Sequence, residues 1–216
     1  MENSKITTVL FGLDGVIVNT RETHDDFWNS VAEKNGLKMD NFPFLIDGMT
    51  INSVIDLYFP LNTPEEKQQI IDDCARLDAG IDYSKVLIPH VLEFIQYLKI
   101  EGYKLGIVTS SSSKKVDSVL RQLDLEDTFD VIITAESIKK GKPDPMGFVL
   151  AQTSLGVKST ECVVFEDAFN GIKAATYAFM RVISVATTLS EDLLKDYSYG
   201  VVKDFKDMDR LKSFIE

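Results

Sequence analysis

The polar residues best placed to do chemistry each stand just behind an apolar run. Asp14 follows residues 7–11, Thr109-Ser110-Ser111-Ser112-Ser113 follows residues 105–108, and Glu166-Asp167 follows residues 162–165. Each group has an ordinary local reading. Asp14-Gly15 alone is a turn signal. Thr109 and the serines are good N-caps for a helix starting near Lys114. Glu166-Asp167 alone is an acidic helix start, which the helix dipole favours. The hydroxyl row has a second reading on the same geometry, because backbone N–H groups and a hydroxyl at a helix N-terminus bind phosphate. Lys142, in Lys139-Lys140-Gly141-Lys142-Pro143-Asp144-Pro145, alone reads as a solvated loop lysine, with Lys139 and Lys140 exposed.

The elements that must position these groups are legible from the pattern. Residues 7–11, 105–108, 131–134 and 162–165 are short apolar runs rich in β-branched residues, the length of buried strands. Residues 182–185 and 200–202 extend the series. Val91, Phe94, Ile95 and Leu98 recur at helical spacing, as do Val116, Val119, Leu120 and Leu123. Segments 148–155 and 172–180 are also helix-like. Strands alternating with helices predict a parallel sheet covered on both faces, with right-handed crossovers. Ligands in such folds sit beyond the C-terminal strand ends, where the polar groups fall. About ninety residues separate the first two strands, far more than a crossover needs. They read as helices over 21–35, 51–58 and 64–79. Pro60, Asn62 and Pro64 punctuate them, and Thr63-Pro64-Glu65-Glu66 reads as a capped helix start. An insertion of this kind forms its own small bundle over the strand ends.

Taken together the segments resemble the four motifs of the haloacid dehalogenase-like phosphohydrolases, in order along nearly the whole chain. The first is Phe11-Gly12-Leu13-Asp14-Gly15, where the family reads Asp-x-Asp-Gly. The second is Ile107-Val108-Thr109-Ser110. The third is Gly141-Lys142-Pro143. The fourth is Glu166-Asp167 followed by Gly171 and Ala174-Ala175. The resemblance implies an α/β, Rossmann-like three-layer core with a parallel sheet, plus a helical cap domain inserted after the first strand. It divides the chain into a core of residues 1–17 and 88–216 and a cap of residues 18–87. The cap type resembles the branch containing β-phosphoglucomutase and phosphoglycolate phosphatase.

In that family the second Asp, here Asp14, is the general acid/base that protonates the leaving oxygen and then activates water. Thr109 and Ser110 are the implied phosphate binders. Lys142 neutralises charge shared by phosphate and carboxylates. Mg²⁺ is the implied cofactor, with Asp14, Glu166 and Asp167 as its ligands here. His24, which opens the first insertion helix, matches a histidine that the branch carries near the site; a surface histidine in a polar turn is the other reading. Trp28 is expected to pack within the cap. His90 stands where the branch usually shows Gly. The cap arginine that β-phosphoglucomutase uses for a second phosphate is replaced by Ile51, which counts against the mutase reading.

Gly12 stands where the family has its nucleophilic Asp. Glycine cannot form an aspartyl-phosphate, and removing a nucleophile costs on the order of 10⁴–10⁶ in rate. The same carboxylate is a Mg²⁺ ligand in the family, so metal binding is expected to weaken too. Asp14, two residues along a strand end, is displaced by several ångströms and does not substitute. Three readings follow. One is a Mg²⁺-dependent phosphatase fold in which Gly12 is an isolated lesion. One is a pseudoenzyme that binds a phosphorylated ligand or a partner. One is an interaction protein with a vestigial pocket.

Composition bounds the partners. The 216 residues suffice for one core plus an insertion. A net charge of -11 argues against nucleic acid and anionic membrane. It leaves a small phosphorylated metabolite as the expected partner and oligomeric state undetermined. Two cysteines, Cys74 and Cys162, suit a reducing cytoplasm and predict no disulfide framework. Met1-Glu2-Asn3-Ser4-Lys5 lacks the apolar core of a signal peptide.

Overall fold

A computed structural model describes residues 5–216. The first four residues, and with them most of the segment read for a targeting signal, lie outside the described residues. The chain runs β1 (Thr8–Phe11), α1 (Arg21–Lys34), α2 (Phe42–Ile46), α3 (Ile51–Tyr58), α4 (Pro64–Ala79), α5 (Val91–Ile100), β2 (Lys104–Val108) and α6 (Ser113–Gln122). It continues with β3 (Val131–Ile133), α7 (Met146–Leu155), β4 (Cys162–Glu166), α8 (Phe169–Tyr177), β5 (Arg181–Val185), α9 (Glu191–Leu194), β6 (Gly200–Val202) and α10 (Met208–Ile215).

The six strands form one parallel sheet in the order β3-β2-β1-β4-β5-β6. Alternation along each strand splits the sheet's apolar residues between two layers. Val9, Phe11, Leu105, Ile107, Val163 and Phe165 face one core with α5, α6 and α10. Leu10, Val108, Cys162 and Val164 face the other with α7, α8 and α9. This is the parallel sheet covered on both faces that the alternating pattern predicts, and the α/β, Rossmann-like, three-layer core that the resemblance implies. The first core is aromatic at its centre: Phe11 stacks on Phe165 at 5.5 Å, and Phe94 and Phe205 close around them.

Helices α1–α4 occupy the stretch between β1 and β2 and bury an apolar cluster of their own around Phe42, Val54, Ile55, Phe59 and Ile70. Trp28 packs edge-on to Phe27 and Phe42 within it. Thr63 and Glu66 form the capping box of α4. Two local differences from the sequence reading have plain causes. The helix expected over 172–180 spans Phe169–Tyr177, because Phe179 takes a left-handed conformation (φ 59°) that a helix cannot continue. The short α2, α9 and α10 were not anticipated, since two of them are too brief to show a period and α10 lies beyond the last strand. Among the described residues no helix is long and apolar enough to cross a membrane.

Candidate active site

The C-terminal ends of β1, β2 and β4 lie side by side in the sheet. Parallel pairing therefore brings Asp14, the Thr109–Ser113 loop and Glu166-Asp167 to one edge. A cavity of about 430 Å³ opens there, between the strand ends and the helical insertion. Its core side carries Gly12, Asp14, Ser110, Lys115, Lys142 and Asp167, and its insertion side carries Arg21, His24, Trp28, Asp47, Ile51 and Asp78.

Gly15 makes the first turn possible. It adopts φ +71°, and a Cβ there would collide with the Asp167 carboxylate. The Gly15 carbonyl accepts from Thr187 Oγ1 at 2.5 Å, and Gly15 N donates to Val18 O at 2.7 Å. The turn aims Asp14 into the cavity. Asp14 Oδ1 accepts from Thr20 Oγ1 at 2.5 Å and from Lys115 Nζ at 2.7 Å, and Oδ2 accepts from Ser111 Oγ at 2.7 Å. Burial opposes its charge, but the Lys115 ammonium and the donated hydrogen bonds outweigh burial and hold the carboxyl well below the usual range. Asp14 is an ionised acceptor in this arrangement.

Thr109 is buried, and its Oγ1 accepts from Ser111 N at 3.1 Å, which shapes the loop. Ser112 caps α6 by accepting from Lys115 N. The helix thus begins at Ser113, one residue before the expected start. Ser110 Oγ donates to Gly48 O at 2.6 Å and so bridges to the insertion. Lys142 is buried beneath the cavity, where its Nζ donates to Val108 O at 3.1 Å and forms a close ion pair with Glu166 Oε1. Lys139 and Lys140 are exposed as expected. His24 lies at the cavity and donates from Nε2 to Asp78 at 2.9 Å. Arg21, at the start of α1, is held by Asp25 at 2.8 Å and Asp47 at 2.5 Å. The insertion's cationic group at the cavity is thereby neutralised from within. His90 sits apart from the site, at the start of α5, with φ 63°. The left-handed backbone is why a glycine suits that position.

Asp167 is the electrostatically costly member. Burial first, then repulsion from Glu166 and Asp47, push its carboxyl well above the usual range, and Thr188 Oγ1 donates to it in partial compensation. A carboxyl that holds its proton more tightly folded than unfolded lowers stability as pH rises from about 4 through its raised folded value. In metal-free buffer Asp167→Asn should therefore be more stable than the parent at pH 8, by at least ~1 kcal/mol. The difference should vanish below about pH 4, where the unfolded carboxyl is protonated too. Urea unfolding across that range measures it, and an advantage that persists unchanged at pH 4 would refute the assignment.

The donor set bears on the implied metal. Glu166 and Asp167 are adjacent hard oxygen donors, but Glu166 Oε1 is taken by Lys142 and Glu166 Oε2 accepts from Asp167 N at 3.1 Å. Asp14, expected as a third ligand, is committed to Lys115, Thr20 and Ser111, and Gly12 contributes no side-chain oxygen. Among the described residues no group of three metal-binding side chains forms. The residues present do not complete a Mg²⁺ site, and no chemical step is assigned to one.

Sequence reading passed over Lys115, Thr20, Asp47, Asp78 and Thr188, and it did not separate Ser111 from the other hydroxyls of its row. For Lys115 a signal was available. It lies four residues before Val119 and beside Val116, on the apolar face of α6, where a lysine must find a buried partner.

Comparison with known proteins fits this geometry. The chain is 34% identical over 212 residues to Protein SUPPRESSOR OF QUENCHING 1, chloroplastic, of Arabidopsis thaliana, covering 93% of this chain and 20% of that much longer protein. It is 29% identical over 186 residues to Hexitol phosphatase B of Escherichia coli K12, covering 84% of each chain. The crystal structure of β-phosphoglucomutase from Clostridium difficile superposes with a TM-score of 0.82 at 25% identity, covering 97% of each chain. The family model for haloacid dehalogenase-like hydrolase matches residues 9–185. With a phosphatase- and phosphoglucomutase-type fold and the strand-end constellation in place, the chain belongs to the haloacid dehalogenase-like hydrolases.

Proposed function

We propose that this chain binds a small phosphorylated metabolite of the sugar- or hexitol-phosphate class in the cavity, and that it hydrolyses such esters poorly because Gly12 replaces the nucleophile. The observation that carries the reading is the intact floor around an empty side-chain position. Asp14, the Ser110–Ser113 helix start and Lys142 converge on one edge, while position 12 offers only backbone. In this reading residues 18–87 are a cap over a core of residues 1–17 and 88–216. Thr109, Ser110 and Lys142 hold the phosphoryl end, and His24 borders the rest of the ligand. Asp14 is the general acid/base. Held ionised by Lys115, it is a weak base, and it must draw away from Lys115 before it can take up and carry the proton that it donates. Glu166 and Asp167 are the acids that would face Mg²⁺, and without a carboxylate at position 12 they do not complete its site. The compartment in this reading is the reducing cytoplasm, where free thiols such as Cys74 and Cys162 persist.

A β-phosphoglucomutase-type reaction is disfavoured on a specific observation. Ile51 offers no cation for a second phosphate, and Arg21 is already paired with Asp25 and Asp47. Thermal unfolding with inorganic phosphate, sorbitol 6-phosphate and glucose 1,6-bisphosphate tests the binding reading. A ligand at a hundred times its dissociation constant adds about 2.7 kcal/mol, a rise of roughly 5–10 °C for a chain of this size. The monophosphate should give that rise and the bisphosphate a smaller one. A flat response to all three would overturn the reading in favour of an interaction protein.

A further inference from the structure

Lys115 links the core to the insertion by charge, beside hydrogen bonds such as Ser110 to Gly48 and Asn170 to Asp47. It is 3% exposed, and it points from α6 of the core into the seam beneath the insertion. Its Nζ lies 2.7 Å from Asp14 Oδ1 and 3.3 Å from Asp78 Oδ1, and 3.5 Å from His24 Nε2. Asp78 belongs to the last turn of α4 and His24 to the first turn of α1, and they are bonded to each other at 2.9 Å. One buried ammonium therefore serves a core carboxylate and an insertion carboxylate at once, where α4 packs on α6.

We propose that Lys115 is a positioning residue that pins the insertion onto the core through Asp78 while holding the Asp14 carboxylate at the cavity floor. A buried ammonium has no water to satisfy its N–H groups, so it needs both carboxylates. The two carboxylates are not equally dependent on it. Asp14 is also held by Thr20 and Ser111. Asp78 reaches the core through Lys115, and its other partner, His24, is itself on the insertion. Losing the Asp78 half should loosen the insertion and leave Asp14 paired; losing Lys115 should loosen the insertion and also leave Asp14 an unbalanced anion at the cavity floor, which repels phosphate.

Hydrogen exchange on the full chain separates these outcomes, in parallel with calorimetric titration of inorganic phosphate. Asp78→Asn should speed exchange in residues 21–34 and 64–79 about tenfold or more, through local opening, while β1 and β4 keep their protection. Its phosphate dissociation constant should stay within about twofold of the parent. Lys115→Met should show the same local loosening and bind phosphate about tenfold more weakly. The charge-balanced Lys115→Met/Asp78→Asn should loosen the insertion no more than Lys115→Met, and it replaces that variant should the latter fail to fold. Unchanged exchange in α1 and α4 in Asp78→Asn would overturn the pin. So would acceleration spread evenly through β1 and β4, the mark of general destabilisation. The phosphate arm rests on the proposed function. If phosphate fails to bind the parent chain, that reading falls, and the exchange arm still decides the pin.

Discussion

Gly12→Asp should turn a nearly inert chain into a phosphatase. The parent is expected to release little phosphate from p-nitrophenyl phosphate or sorbitol 6-phosphate, and the variant to gain orders of magnitude, up to a ceiling of about 10⁴–10⁶-fold set by what losing a nucleophile costs. The backbone permits the change. Gly12 does not use the left-handed conformation reserved for glycine, and a Cβ there meets Val16 Cγ2 at 3.1 Å and Glu166 Oε1 at 3.2 Å. Those contacts are tight, so Glu166 or Val16 must yield by a few tenths of an ångström. The new carboxylate would also stand beside Glu166 and Asp167 as a third acid. Mg²⁺ should then raise the melting temperature of Gly12→Asp more than that of the parent, since an ion that binds only the folded state stabilises it. Robust turnover by the parent would overturn this account of Gly12. A gain below about tenfold in a folded Gly12→Asp would instead support a binding protein whose remaining groups are not arranged for transfer.

Much of this was legible in the chain because the fold writes itself locally. The six strands are short, apolar and buried, so each shows as a run, and parallel connections force helices between them. Position at the strand ends then picks out Asp14, Thr109 and Glu166-Asp167 before any geometry is known. What stayed hidden depends on distance in sequence. Lys115 and Asp78 are partners only because the insertion folds back onto α6, and no local pattern encodes that return. Arg21 is enclosed by Asp25 and by Asp47, a partner 26 residues away that no local pattern announces. Ser111, rather than Ser110, reaches Asp14, because Ser110 turns to Gly48. A run of hydroxyls reveals a site but not the division of work within it.

Lys142→Met should show how far the core depends on a buried charge. Lys142 and Glu166 are both almost fully enclosed. The ammonium is bonded to the carboxylate and to Val108 O, and it lies 5.4 Å from the centre of the Phe148 ring. Methionine keeps most of the aliphatic bulk and removes the charge. Glu166 would then face Asp167 with no cation against it. Breaking a buried pair by removing one partner costs about 3–5 kcal/mol, a fall in melting temperature of roughly 6–20 °C for a chain of this size. Restoring neutrality locally should recover much of that loss, because the penalty lies in the stranded carboxylate more than in the missing attraction. Lys142→Met/Glu166→Gln is therefore expected to melt well above Lys142→Met. Phosphate binding should be weakened in both variants, since the Lys142 ammonium is gone from the cavity in each. Recovery of stability without recovery of binding assigns Lys142 two separable tasks, balancing Glu166 and attracting the phosphoryl group. If the double variant bound phosphate as the parent does, the lysine would be structural only, and the phosphate end of the cavity would have to be sought at the Ser110–Ser113 helix start instead.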